Sequence, residues 1–493
     1  MKILGNFKRN GLVALGAIFI IIFISTVFSY PVRIVDALSL QSAGGFGIHI
    51  SGWRILFEPF LGPLLFFIRR FYPVDEVMLL LWLVLLIYVT YSVIKLFLIK
   101  NRKGNSRFLL SQAVNLPLTI GLWFTFLLIT VFLSVYLPNN TIENNTQDKI
   151  LVTTHSHSEF SHDGLIGQTH LWEWHKYNNF DAFFITDHNT HKKTLEFAQK
   201  QRAGDFSSEP LVMCGEEFSG SNHLSLLGLK RDFKTRGYTD EQAIDSTRAS
   251  GGAVIVNHWF DGEHKTLDYY RNLGVDGFEI ENTATEITYN RDVYKKIKSY
   301  CQTNNLLMNG GLDFHGYLNV CSLWNAMEIP GWHKLSQTEK ERAILDIIKS
   351  RDQRKLNVLL YSDRPYYTRD HLFLMPAVHL FNYFRTLNLV QILSWIVWIV
   401  IFVFVKIKIS GNNKLREKFT ANNIIAILSL LGALLILLTG AGYFSRISRV
   451  AGSDNDIYIE YSHLLFYIGA ALFVYSGIVV FFRMIKKQSK KTE

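Results

Sequence analysis

Cysteine is scarce in this chain: Cys214, Cys301 and Cys321 are the only three in 493 residues, and no two form a CxxC pair. That argues against a disulfide scaffold and against a thiolate zinc site. The segment GEEFSG lacks the G-x-S-x-G spacing of a nucleophile elbow, so no serine of that type is in play. No internal repeat or low-complexity tract stands out, and no basic stripe interleaved with aromatics marks a single-strand nucleic-acid groove. Charge is sparse as well. Only 19% of residues are charged, whereas 49% are apolar, and the mean hydropathy is positive. That balance is unusual for a soluble protein of this length.

What is present in quantity is long apolar runs. Six are long enough to cross a bilayer, which takes about 20 residues: 11–29, 77–99, 108–137, 387–405, 423–444 and 462–482. The first follows the basic start MKILGNFKRN without a small-residue cleavage site and is expected to be retained. Residues 1–137 thus read as an N-terminal membrane region and 383–493 as a C-terminal one, with three spans each. The net charge of +10 is then mostly a topology signal. Lysine and arginine cluster at both termini, between spans two and three, and between spans four and five. With alternating spans all of these lie in the cytoplasm, and the middle of the chain lies outside it. The segment 53–71 is apolar but carries Glu58 and two prolines, which favours an interfacial or re-entrant element. Residues 138–149, rich in Asn and Thr, read as a polar linker.

The middle region, 150–382, alternates short β-like runs with helical patterns, the signature of a parallel sheet or barrel. Each run is followed by ionisable residues: HSHSEFSHD, DHN, GEE, HW, EN and GGLDFH. In a parallel barrel the strand C-termini share one face, so these distant clusters converge there. Twelve of the 16 histidines fall between His155 and His333. Imidazole with carboxylate is the common ligand set for zinc, manganese or iron. His170, His175, His264 and His333 are read as ordinary packing or surface residues.

HSHSEFSHDG, ITDHN, GEEFSGSNHLSLLGL, VNHW and GLDFHG occur in that order. In this the segment resembles the PHP family, named for polymerase and histidinol phosphatase domains, over roughly residues 150–367. The resemblance implies a distorted (β/α)7 barrel, TIM-like, here inserted between two three-helix membrane halves, holding two or three divalent metal ions. It implies as ligands His155, His157, Glu217 and Asp313 on one metal, Glu217, His223 and His258 on a second, and Asp163, His188 and His315 on a third. Glu217 is the expected bridge, with Glu216 as its alternative if the strand register shifts. Asp187, Glu217 and His258 are the expected catalytic side chains, Asp187 acting by orienting a ligand or else serving as a helix cap.

Clustered divalent ions suit phosphoester hydrolysis, because they make hydroxide available near neutral pH and neutralise phosphoryl oxygens. Asn257, Lys265, Arg291 and Arg364 are candidate phosphate contacts. Six spans exceed what an anchor needs, and Arg69, Arg70, Arg446 and Arg449 break the positive-inside pattern. These point to a lipid phosphate or lipid-linked carrier, with membrane lipid as partner and no nucleic acid. A hydrolase of soluble phosphoesters or nucleic acid, and a metal-containing receptor or binding module, stay as alternatives.

Overall fold

The computed structural model describes residues 2–67, 69, 73–98, 102–137, 140–261, 265–283, 291–317, 320–364, 374–411, 420–450 and 455–492. Its strands, in chain order, are β1 Arg33–Asp36, β2 Phe46–Ile50, β3 Asn140–Asn144, β4 Lys149–Thr153, β5 Ala182–Ile185, β6 Leu211–Ser219, β7 His223–Leu227, β8 Ala253–Val256, β9 Gly277–Asn282, β10 Leu307–Gly311, β11 Leu323–Glu328 and β12 Leu356–Ser362. Ten of them form one sheet in the order β1-β12-β11-β4-β5-β6-β7-β8-β9-β10, and β2 pairs β3 apart from it.

The β-like runs of the middle region all become strands, buried on both faces. In β4, Ile150 and Val152 join one apolar cluster while Leu151 joins the other, the period-2 alternation of a covered sheet. Helices cross between them and stop where the sequence allows. Lys192–Ala203 and Leu267–Leu273 end on Gly204 and Gly274 in the left-handed region, at φ 87° and 85°. Thr239 and Ser336 open the helices Asp240–Ala249 and Gln337–Ser350 with capping boxes. The sheet then curls. The Asn325 side chain on β11 donates to and accepts from the backbone of Gly310 on β10, both at 2.8 Å, bringing the far strand back toward the first.

A wholly parallel barrel does not form. β4, β5 and β6 run parallel, as do β8, β9 and β10. HLSLL, however, turns straight back on β6 as β7 and pairs antiparallel on both sides. Three residues separate β6 from β7, too few for the crossover that a parallel neighbour requires. β11 and β12 are antiparallel to their neighbours as well. The result is an α/β half-barrel with a mixed sheet.

Three strands, β1, β2 and β3, come from outside the middle region. β1, from the segment 1–137, pairs with β12. β3 occupies residues expected as linker and pairs with β2, because Ile142 buries completely beside Ile34 and Leu151. Turn residues dominate that stretch of sequence, but one apolar residue and a partner strand decide its conformation.

Among the described residues four helices are long and apolar enough to cross a membrane: Gly104–Tyr136, Leu389–Ile409, Asn422–Arg446 and Ile457–Ile485. The expected spans 11–29 and 77–99 fall on the helices Lys2–Val27 and Pro73–Phe97. The segment 53–71 forms two short helices, Gly52–Leu56 and Glu58–Phe67. Glu58 is fully buried there, paired with Arg54 and accepting from the Tyr383 hydroxyl at 2.6 Å.

Candidate metal centre

Two isolated bridges beyond the strand ends set the site. Ser156 pairs with Phe314, and His188 pairs with Glu217. The first lays the His155–His157 loop after β4 beside the Asp313–His315 loop after β10, with His157 N donating to Phe314 O and Asp313 N to His155 O. The second lays the loop after β5 beside β6. The backbone is strained where ligands must turn inward: Asp313 has φ 51° and His258 φ 21°. Asp tolerates the left-handed region better than most residues, whereas a histidine there is held by its surroundings.

Glu217 is the hub. Its Oε2 lies 3.1 Å from His155 Nε2, 3.2 Å from His157 Nε2 and 3.3 Å from His188 Nε2. Its Oε1 lies 3.1 Å from His223 Nδ1 and 3.3 Å from His258 Nε2. Asp313 Oδ1 approaches His155 and His157 at 3.2 and 3.1 Å, and Asp163 Oδ2 approaches His188 and His315 at 3.4 and 2.9 Å. Among the described residues three groups are placed so that they could hold a metal ion: His155, His157, Glu217 and Asp313; His157, Asp163, His188 and His315; and His188, Glu217 and His223. All nine expected ligand positions therefore lie together. The second expected group differs in detail, since His188 stands with Glu217 and His223, and His258 approaches the same Glu217 oxygen. Glu216 points the other way along β6, to His191 and Thr235, so the strand's alternation selects Glu217.

The donor set fits divalent cations. His155 and His157 present their Nε2 atoms to each other at 3.0 Å. Their Nδ1 atoms are engaged outside the cluster, with Glu279 at 2.9 Å and Ser161 at 3.3 Å. Lone pairs of imidazole and carboxylate thus converge without a cationic side chain among them, an arrangement that needs positive charge at its centre. The titration of these groups says the same. Burial opposes charge on His157, yet hydrogen bonds to Asp313 and Glu217 push it up to about 10. His155 likewise rises well above the usual range, its burial outweighed by Glu217, Asp313 and Glu279. Burial disfavours ionised Glu217 too, but His155, His188 and His223 hold it well below the usual carboxylate range. Protons stand where a cation would, and a metal must displace them, so its affinity rises with pH. His188 is pushed down to about 4, chiefly by burial, and presents a free imidazole.

Glu279 was not among the expected site residues. It is fully buried on β9, accepts from His258 N at 3.1 Å and from Asn282 Nδ2 at 3.0 Å, and orients His155. A carboxylate behind a ligating histidine fixes its tautomer. The sequence signal was the strand-end cluster EN after GFEI; the inward residue lies two positions earlier, inside the strand.

The other expected contacts fall elsewhere. Asp187 is buried and accepts from the backbone and hydroxyl of Ser158 at 2.6 and 2.7 Å, so it braces the first metal loop. Burial pushes it up to about 6, against those hydrogen bonds. Asn257 is buried among the ligands and donates to Glu217 Oε1 at 2.8 Å. Lys265 is exposed and lies over the Tyr269 ring. Arg291 lies over the Tyr294 ring and 3.4 Å from Glu281. Arg69 and Arg364 are both buried against one carboxylate, Asp363, at 2.6 and 2.9 Å, which corrects the expectation that they wait for a phosphate. Arg70 lies outside the described residues.

No protein-family model matches the chain, and no curated protein matches it either. Solved structures do match in part, at low identity, and among them are proteins described as metal-dependent phosphoesterases and an amidohydrolase. A two-domain protein from Bacteroides vulgatus containing a predicted PHP-like metal-dependent phosphoesterase matches at 16% identity and a TM-score of 0.34, over 43% of this chain and 65% of that one. The match thus spans just under two thirds of that protein's length. A metal-dependent phosphoesterase from Bifidobacterium adolescentis matches at 14% identity and a TM-score of 0.27, over 34% of this chain and 88% of that one. An amidohydrolase from Chromobacterium violaceum matches at 14% identity and a TM-score of 0.28, over 38% of this chain and 96% of that one.

Proposed function

We propose that the chain is a membrane-bound, metal-dependent phosphoester hydrolase of the PHP type, acting on a lipid phosphate or lipid-linked carrier outside the cytoplasm. The observation that carries the reading is Glu217, whose two oxygens divide the histidines of one cluster between them. Zinc, manganese or iron bound there would supply an activated water and neutralise the phosphoryl oxygens. The chain's own part is to hold and aim that chemistry. His155 is oriented by Glu279, His157 is braced by Ser161, and Asn257 fixes the Glu217 carboxylate. Asp187 holds the loop that carries the first two histidines. Most of the cluster is buried, and the Asp163 carboxylate and the His223 ring keep 26% and 37% of their surface exposed.

The lipid assignment rests on the long apolar helices and on Arg446 at the end of one of them. The location rests on the distribution of lysine and arginine. The test is purified protein in detergent, loaded in turn with zinc, manganese and iron. It is assayed against phospholipids bearing a terminal phosphate and against soluble phosphoesters. Hydrolysis that a chelator abolishes and added metal restores is expected. Absence of turnover with every metal and substrate would leave a binding module. Sidedness is checked separately. A cysteine placed at Asn145 should react with an impermeant thiol reagent in intact cells, since the three native cysteines are buried. Protection at that position inverts the topology.

A further inference from the structure

Near the outer ends of two long helices, Gly104–Tyr136 and Asn422–Arg446, an apolar groove of about 360 Å³ opens between them. Leu128 and Phe132 form one wall, and Leu435 and Leu438 the other. Phe132 and Leu438 are each about 60% exposed along it, at 59% and 61%. The volume is within the range of ligand pockets, roughly 300–1,000 Å³. It is also lined by Leu165 and Gly316, from the loops after β4 and β10, and by Arg446 at the end of the second helix. Leu165 stands two residues after Asp163, and Gly316 directly follows His315. Leu165 N donates to His315 O at 2.8 Å. The groove therefore ends on the two loops that carry a pair of facing metal ligands, on the side where Asp163 is exposed.

The junction is built rather than incidental. Asn455, just before the helix Ile457–Thr492, is buried and donates its amide to the carbonyls of Glu159, Ser161 and Gly164, at 2.9, 2.7 and 3.0 Å. The long helices thus grip the first metal loop from below. Leu165 packs with Val450 and Tyr458. Among the described residues the Arg446 side chain makes one long hydrogen bond, 3.5 Å to the Tyr458 hydroxyl, which leaves donors of its fork for a ligand at the groove's head.

We propose that this groove is the lipid entrance to the metal centre, holding an acyl chain between the two helices while Arg446 receives the phosphate-bearing headgroup beside the Asp163–His315 loops. The inference rests on reading those helices as membrane spans and the cluster as a phosphoesterase site. It commits to one occupant. Apolar walls select a hydrocarbon chain, a guanidinium at the rim selects an anion, and the cation-binding cluster beyond selects phosphate. It also divides the arginines. Arg69 is closed off by Asp363, whereas Arg446 faces the groove.

The test uses the full chain in phosphatidylcholine nanodiscs containing phosphatidic acid with a diazirine on one acyl chain. Photolysis followed by peptide mapping should label the helix walls around Leu435 and Leu438. This readout does not depend on turnover, so an inactive enzyme with a labelled groove would reject the phosphoesterase reading and keep the entrance. Gly442→Phe provides the block. A Cβ at Gly442 meets nothing within 4 Å, and the residue lines the groove, so the ring fills lipid space. Labelling should fall about tenfold, and the ratio of lipid to soluble phosphoester turnover should fall alongside it. Arg446→Gln should lower the same ratio about tenfold or more, the worth of a hydrogen bond to a charged group. Labelling spread evenly over the lipid-facing helices, or unchanged in Gly442→Phe, overturns the entrance. An unchanged turnover ratio in Arg446→Gln overturns the headgroup contact.

Discussion

At the strand ends, six imidazoles surround Glu217, Asp313 and Asp163, and ring nitrogens face carboxylate oxygens at about 3 Å. Against the helix Glu58–Phe67, a second set of buried charges follows another rule. There Arg54 pairs with Glu58, and Arg69 and Arg364 share Asp363. Each guanidinium of the second set has found its anion inside the chain. The first set contains no lysine or arginine, so the positive charge that balances it must be a proton or a metal. Burial alone therefore does not mark a functional group. Buried charge that is balanced internally serves the fold, and buried charge left for an outside partner serves a site.

The sharpest way to break this comparison is Glu217→Gln. It removes a ligand from every cation that Glu217 touches. Elemental analysis should show loss of more than one metal per chain, and activity should drop by more than about a hundredfold, beyond what an outer-shell partner costs. Full metal content in the folded variant would take Glu217 out of the bridge. Asp363→Asn should have little effect on metal content but a large one on stability. It strands two buried guanidinium groups, which costs about 3–5 kcal/mol. The midpoint of denaturant unfolding in detergent measures this, and an unchanged midpoint would mean the arginines reach other anions. Glu279→Gln lies between the two sets. The fold should survive, and metal affinity by chelator competition should weaken about 10–100-fold through the loosened His155 ring. An affinity equal to the parent's would show that Glu279 does not orient that ring.

The smallest effect separates a packing histidine from the ligands. His175 is buried against Phe183, donates from Nδ1 to Leu171 O, and is pushed down to about 3 by burial. Its folded pKa lies below its unfolded one. The unfolded state therefore binds the extra proton between about 3 and 6.5, and stability falls as pH drops through that window. His175→Leu should remove up to ~1.4 kcal/mol per pH unit from that slope. Parallel pH profiles for parent and variant would contradict a neutral His175.

Much of the site was readable because its residues follow strands directly. His155, His157, His188, His258 and Asp313 each stand one to four residues beyond an apolar run, and a half-barrel gathers strand ends whether or not every neighbour is parallel. The misreadings share a physical cause, the partner far away in sequence. Arg69 reads as an exposed outward cation until Asp363, 294 residues on, is placed against it. β3 reads as linker until β2 is laid beside it. The antiparallel β7 was within reach, since HLSLL alternates and follows a short turn after β6. Local pattern reports what a residue prefers, and only the tertiary fold reports what it meets.

β1 has a consequence for how this molecule is made. Residues 33–36 pair with residues 359–362, so the first strand leaves the ribosome more than three hundred residues before its neighbour. At roughly 5–20 residues per second the interval is on the order of tens of seconds. During it, an unpaired edge waits while the long helix Arg102–Tyr136 and most of the sheet are synthesised. Bare strand edges invite foreign pairing. The early strand is only four residues long, begins with Arg33 and is preceded by Pro31, a form that discourages such pairing. An excised middle region would carry the converse liability, a finished β12 whose cover was left behind in the N-terminal segment.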